Sequence, residues 1–178
     1  MRIISGKYRG KIVQVHKSFK ARPTTDYSKE SLFGILHNTF QIEEMKVLDL
    51  FSGTGSISYE FASRGCENVT SVEINNKYAS FIKRTSDALS LKIKVINCDA
   101  IKYIKKCNEK FNIIFADPPY DMKDIDLIPD YIFDNSILDE EGVFILEHSK
   151  DYFFSENKFF FKHKTYGAVN FSFFQMAE

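Results

Sequence analysis

From residue 46 onward, short apolar runs alternate with helix-length amphipathic segments, and that rhythm constrains the fold more than any other feature of the chain. The runs cover 47–51, 69–74, 93–97, 112–116 and 143–147. Between them, Tyr78, Phe81, Ile82, Thr85 and Leu89 share one helical face, and Ile125, Ile128, Tyr131 and Ile132 share another. Strands recurring with helices between them build βαβ units, so an α/β fold with a mainly parallel sheet covered on both faces is predicted. The rhythm breaks at the end, where 158–164 and 169–174 flank Tyr166-Gly167-Ala168 and read as a closing antiparallel hairpin. Eight of the 18 phenylalanines lie from Phe153 onward. In a sheet-closing hairpin such residues belong to the core far more often than to a base-stacking platform.

The first forty residues do not share that texture. Alternating runs at 2–5 and 11–15 flank Gly6 to Gly10 and predict a small β-hairpin. A helix capped by Thr25 or Asp26 follows, with Leu32, Ile35, Leu36 and Phe40 on its apolar face. Charge divides the same way. The formal net charge is zero, yet the first forty residues carry eight basic side chains against two acids, leaving 16 bases and 22 acids for the rest. A basic extension (1–40) on an acidic domain (41–178) is predicted, and a basic segment is a candidate contact for phosphate. Three cysteines without CxxC spacing predict neither a disulfide framework nor a metal site. Without a signal-like start or a membrane-length apolar run, a cytoplasmic monomer is expected.

Two constellations carry chemistry. Asp49, Phe51, Gly53 and Gly55 lie in a turn between a strand and a helix, where glycines let a ligand approach the backbone. The spacing is neither GxGxxG nor a P-loop. Glu73, twenty positions after Gly53 at the end of the next strand, can take both hydroxyls of a ribose, or serve as an exposed or capping acid. Asp99 ends the third strand and fits an adenine amino group and a helix N-cap equally well.

The stronger constellation is Asp117-Pro118-Pro119-Tyr120, which directly follows the apolar run 112–116. Ligands of open α/β sheets bind at such strand ends. Two prolines stiffen the turn and remove N–H donors, leaving acceptors suited to an exocyclic NH2 on a planar ring that Tyr120 can stack upon. The lone pair of a nucleobase amine is delocalised into its ring. Hydrogen bonds from its N–H groups to Asp117 and a backbone carbonyl would localise that pair and aim it at the methyl of a sulfonium donor.

These residues resemble a known family. Asp49-x-Phe51-x-Gly53-x-Gly55 with Asp117-Pro118-Pro119-Tyr120 is similar to the class I methyltransferases that act on amino groups with S-adenosylmethionine. The start Met1 to Gly10, Arg22-Pro23-Thr24-Thr25-Asp26 and Glu30-x-Leu32-Phe33-x-Ile35-Leu36 narrow the resemblance to the RsmD family, bacterial 16S rRNA guanine-N2 methyltransferases. The resemblance implies a Rossmann-like, seven-stranded, mainly parallel sheet. It puts the cofactor on Asp49, Phe51, Gly53, Gly55, Glu73 and Asp99, and the target guanine on Asp117 to Tyr120. It implies 16S rRNA or a small-subunit particle as partner, with Lys7, Arg9, Lys11, Arg22 and Lys29 as RNA contacts. Tyr27-Ser28-Lys29 departs from the family's usual Arg-Val-Arg at that point. Two alternatives stand beside this reading: an adenine-N6 nucleic-acid methyltransferase, which shares the Asp-Pro-Pro-Tyr motif, and a non-catalytic RNA-binding assembly factor.

Overall fold

The computed structural model describes residues 1–15, 19 and 25–176. Seven strands form one sheet: β1 (Lys46–Leu50), β2 (Asn68–Glu73), β3 (Ile93–Asn97), β4 (Phe111–Ala116), β5 (Leu138–His148), β6 (Phe160–Tyr166) and β7 (Val169–Phe174). Their order is β3-β2-β1-β4-β5-β7-β6. The first five are parallel, while β7 runs antiparallel to β5 and β6. Helices α1 (Asp26–His37), α2 (Ser56–Ser63), α3 (Asn76–Ala88), α4 (Ala100–Ile104) and α5 (Ile128–Asp134) complete the α/β architecture that the sequence predicts. None of the described helices is long and apolar enough to cross a membrane.

One expected strand is much longer than its apolar pattern. β5 begins at Leu138 rather than 143, because Leu138 pairs with Phe111 before a register shift leads to Ile113 opposite Val143. The added residues Asp139, Glu140 and Glu141 are polar, so hydropathy hides them. Gly142 passes so close to β4 that a Cβ there would lie 2.9 Å from the Asn112 carbonyl oxygen.

Strand alternation sorts the core onto two faces. Leu48, Leu50, Ile114, Ala116, Phe144 and Leu146 pack beside Ile104, Ile128 and Ile132 of α4 and α5. Val47, Ile113, Phe115, Val143, Ile145, Phe171 and Phe173 pack beside Leu32, Leu36 and Phe61 of α1 and α2. The tail phenylalanines at 171, 173 and 174 are core, as predicted, whereas Phe153 stands 86% exposed.

The N-terminal segment is built into the body. Arg2 and Ile12 form an antiparallel bridge, with Ile3 N–H donating to Lys11 O at 2.9 Å and Val13 N–H donating to Met1 O at 2.8 Å. Ile3 and Val13 are buried against Tyr59 of α2 and Ile82 of α3. Gly6 fixes the docking: its φ is +79°, and a Cβ would fall 1.9 Å from the Ser63 carbonyl oxygen. Only glycine fits. The turn caps the end of α2, since Lys7 N–H donates to Ser63 O at 2.7 Å and the Ser63 hydroxyl donates to Ser5 O at 2.7 Å. On α1, Thr25 is the N-cap. Leu32 and Leu36 are buried as expected, Ile35 and Phe40 only partly, and Phe33 is a core residue that the predicted face omits. The expected divisions 1–40 and 41–178 therefore share one core.

Candidate active site

The strand order reverses between β2 and β4, which lie on opposite sides of β1. At such a switch point the following loops diverge and leave a crevice at the carboxyl edge. The β1–α2 loop and the segment after β4 border it.

The first loop is wound by left-handed residues: Phe51 has φ 57°, Gly53 φ 54° and Gly55 φ 85°. Phe51 bears that conformation with a side chain, a cost of about 1–2 kcal/mol, and its ring packs at the rim of the α4/α5-side core. At Gly55 a Cβ would sit 3.0 Å from both Ile82 Cγ1 and the Tyr59 ring. The loop is pinned from beneath. Ser52 N–H donates to Val72 O at 3.1 Å, the Ser52 hydroxyl donates to Asp49 O at 2.7 Å, and Gly53 N–H donates to Glu73 Oε2 at 2.7 Å.

Asp49 and Glu73 reach this loop from different sides. Asp49 is buried and its Oδ2 accepts from Ser58 N–H at 3.0 Å and the Ser58 hydroxyl at 2.5 Å. Burial pushes its carboxyl up to about 7 against the opposing pull of Ser58, and Glu73 adds to the rise. These contacts tie the first turn of α2 to β1. Glu73 accepts from two backbone amides, Gly53 N–H on Oε2 and Asn75 N–H on Oε1, each at 2.7 Å. Burial raises its pKa as well, while those amides lower it. A carboxylate oxygen has acceptor capacity for a second hydrogen bond, so these two amide contacts do not exhaust Glu73. For Asp99 the capping alternative is realised: Oδ1 accepts from Lys102 N–H at 2.8 Å, and the side chain is only partly buried.

Across the crevice, Asp117 is partly exposed, Pro118 buried, Pro119 exposed and Tyr120 63% exposed. Met122 N–H donates to Pro119 O at 2.9 Å, which closes the turn and engages one of its carbonyls. Burial raises the Asp117 carboxyl to about 7, and the Asp49 charge pushes in the same direction. A group balanced there is anionic in a large fraction of molecules near neutral pH.

Sequence reasoning missed Glu147. It is 4% exposed, and its carboxyl is raised to about 9 by burial and by Asp117. The signal was available, since Glu147 ends the apolar run 143–147 in β5 much as Asp117 follows the run in β4.

The expected RNA contacts separate into three groups. Lys7, Arg9 and Lys11 are exposed, but Lys7 adjoins Ser63 at the far end of α2, about 12 Å along the helix from the glycine loop. Lys29 is corrected. It is 1% exposed, its Nζ lies 3.3 Å from Glu60 Oε1 and 3.6 Å from Asp26 Oδ1, and it donates to Arg2 O at 2.5 Å. A cation so enclosed supports the fold and offers nothing to phosphate. Arg22 lies outside the described residues. The departing residue Tyr27 is exposed and rests edge-on against Tyr166, with ring centroids 6.1 Å apart.

The family model described as Conserved hypothetical protein 95 matches residues 1–175. A protein of Haemophilus influenzae named ribosomal RNA small subunit methyltransferase D is 31% identical over 98% of this chain and 93% of its own length. A protein of the same name from Buchnera aphidicola is 37% identical over 67% of this chain, a match spanning 61% of that relative. A solved structure described as a putative methyltransferase, yhhF, from Escherichia coli superposes with a TM-score of 0.85 at 27% identity, covering 98% of this chain and 97% of that one.

Proposed function

This chain belongs to the Conserved hypothetical protein 95 family, and from that premise we propose that it transfers a methyl group from S-adenosylmethionine to the exocyclic N2 amine of a guanine in small-subunit ribosomal RNA. One observation carries the reading: a glycine loop anchored on Glu73 and an Asp-Pro-Pro-Tyr segment border the same switch-point crevice. The names of the Haemophilus and Buchnera relatives support small-subunit rRNA as the substrate class.

The residues fit the cofactor. The left-handed Gly53 and Gly55 present backbone without side chains along the loop, and the Glu73 carboxylate beside it offers acceptors for two ribose hydroxyls. When bound, S-adenosylmethionine supplies an electrophilic methyl on a positively charged sulfur. Asp117 accepts a hydrogen bond from the target amine and holds its lone pair toward the methyl position, while Tyr120 stacks on the base. As the amine gains its methyl it sheds a proton, and an anionic Asp117 with a pKa near 7 is matched to receive it.

The test is incubation of the protein with labelled S-adenosylmethionine and small-subunit particles lacking the modification, followed by nucleoside analysis. Label on guanine N2 is the expected result. Label on adenine N6 would establish the adenine alternative, and tight RNA binding without label would establish an assembly factor.

A further inference from the structure

Glu147 is a buried ionisable group that the mechanism above does not use. It is the penultimate residue of β5, which pairs in parallel with β4 through Phe115–Ile145 and Ala116–Leu146. Continuing that register by one residue brings Glu147 beside Asp117. Both belong to the face of the sheet that carries Phe115 and Ile145. Glu147 Oε2 is fully buried and has no hydrogen-bond partner among the described residues.

The charged groups around Glu147 supply no counter-ion. Beside it at the end of β4 stands Asp117, an acid whose own pKa is raised by the charge of Asp49 on β1. On β7 the partner of Glu147 is Phe171, and the exposed Lys164 lies one strand further away on β6. On α1 the buried cation Lys29 is committed to Glu60 and Arg2 O. Its chain neighbour His148 points to the opposite face, where Nε2 meets the Ser172 hydroxyl at 2.8 Å. A buried carboxyl with a second carboxyl beside it and no cation in contact holds its proton.

We propose that Glu147 is a positioning residue for Asp117: a neutral carboxylic acid that presents its O–H to the Asp117 carboxylate and keeps that carboxylate oriented as the acceptor for the target amine. The proposal rests on the methyltransferase reading for its kinetic consequence but not for its chemistry. Asp117 loses its proton first, at about 7, and Glu147 then titrates against a charged neighbour at about 9. One proton stays with the pair after the first ionisation, and the more deeply buried Glu147 holds it while the partly exposed Asp117 carries the charge.

Infrared difference spectroscopy on the free protein tests the pair without any substrate. At pH 8 to 8.5, where Asp49 and Asp117 are ionised, the wild type shows a protonated-carboxyl band that disappears in E147Q. Its titration midpoint moves to lower pH in D117N, because the neighbouring negative charge is gone. Absence of the band, or an unmoved midpoint, overturns the proposal. Single-turnover methyl transfer supplies the second readout. E147A is slowed about 10- to 100-fold with cofactor affinity kept, and E147Q, whose amide retains an N–H donor, recovers most of the loss. A full-speed E147A, or an E147Q no faster than E147A, also overturns it. If E147A does not fold, E147Q and D117N carry the test. Should the wild type transfer no methyl group at all, the functional reading fails while the infrared result still decides the role of Glu147.

Discussion

Lys29 Nζ lies 3.3 Å from Glu60 Oε1, and the two side chains are 1% and 0% exposed. This pair ties α1 to α2, and it links the N-terminal segment as well, since Glu60 Oε1 accepts from Ile4 N–H at 2.6 Å. A position that reads in sequence as an RNA contact is thus an internal fastening.

Replacing Lys29 should therefore destabilise the fold and leave substrate electrostatics alone. Removing one member of a buried pair strands the other and costs about 3–5 kcal/mol. Lys29→Met is expected to lower the unfolding free energy in urea titrations by that amount, while the salt dependence of RNA binding by the folded protein stays unchanged. A stable variant with a reduced salt slope would return Lys29 to the RNA interface.

The exposed cations give the complementary experiment. Lys7, Arg9 and Lys11 have their side chains in solvent, so changing all three to Gln should leave stability nearly intact. If these residues meet phosphate, log affinity against log salt should flatten by up to about 2–3 units of slope. An unchanged slope would place the RNA elsewhere on the molecule, away from the far end of α2.

Gly6 and Gly10 separate backbone strain from steric clash. Both have positive φ, +79° and +81°, yet a Cβ at Gly10 meets nothing within 4 Å while one at Gly6 strikes the Ser63 carbonyl. Gly10→Ala should cost about 1–2 kcal/mol from backbone strain alone. Gly6→Ala should cost clearly more and release the 1–15 segment to proteolysis. Equal losses in thermal unfolding would show that the turn shifts freely off α2.

The contrast between these glycines shows what the sequence could and could not reveal. Strand rhythm is a local property, so β3 and β7 were legible to the residue, and the Asp117 turn could be assigned to the end of a buried strand. The destination of Lys29 depends on a carboxylate 31 positions away and on a helix packing angle, which no local pattern encodes. Glu147 was legible as the end of an apolar run, but its meaning came only from the β4–β5 register. Asp49 shows the same limit: its motif position is plain, while its contact with Ser58 requires the loop to be folded first.

Asp117 and Glu73 should divide chemistry from binding. Asp117→Ala is expected to reduce methyl transfer about 10²- to 10⁴-fold with cofactor affinity by calorimetry little changed. Glu73→Ala removes the acceptor of Gly53 N–H and Asn75 N–H and should weaken cofactor binding by about 1.5–3 kcal/mol. Collapse of cofactor binding in the Asp117 variant, or unaltered binding in the Glu73 variant, would reverse the two roles.

Carboxyls raised by burial also set how stability depends on pH. Asp49 and Asp117 are raised to about 7 and Glu147 to about 9, so between their unfolded values and these limits the native protein keeps protons that the unfolded chain has released. Where the native state binds more protons, stability falls as pH rises, by up to about 1.4 kcal/mol per pH unit for each such group. His148, whose pKa burial lowers, works in the opposite sense, but only below its unfolded value near 6.5. The urea midpoint should consequently fall from pH 7 to pH 9. Glu147→Gln removes the group with the highest pKa of the three and should flatten the decline between pH 8 and 9, where Asp49 and Asp117 are already ionised in both states. A midpoint that stays constant or rises over this range would mean that these carboxyls are solvated or paired in solution, and that the site does not hold its protons.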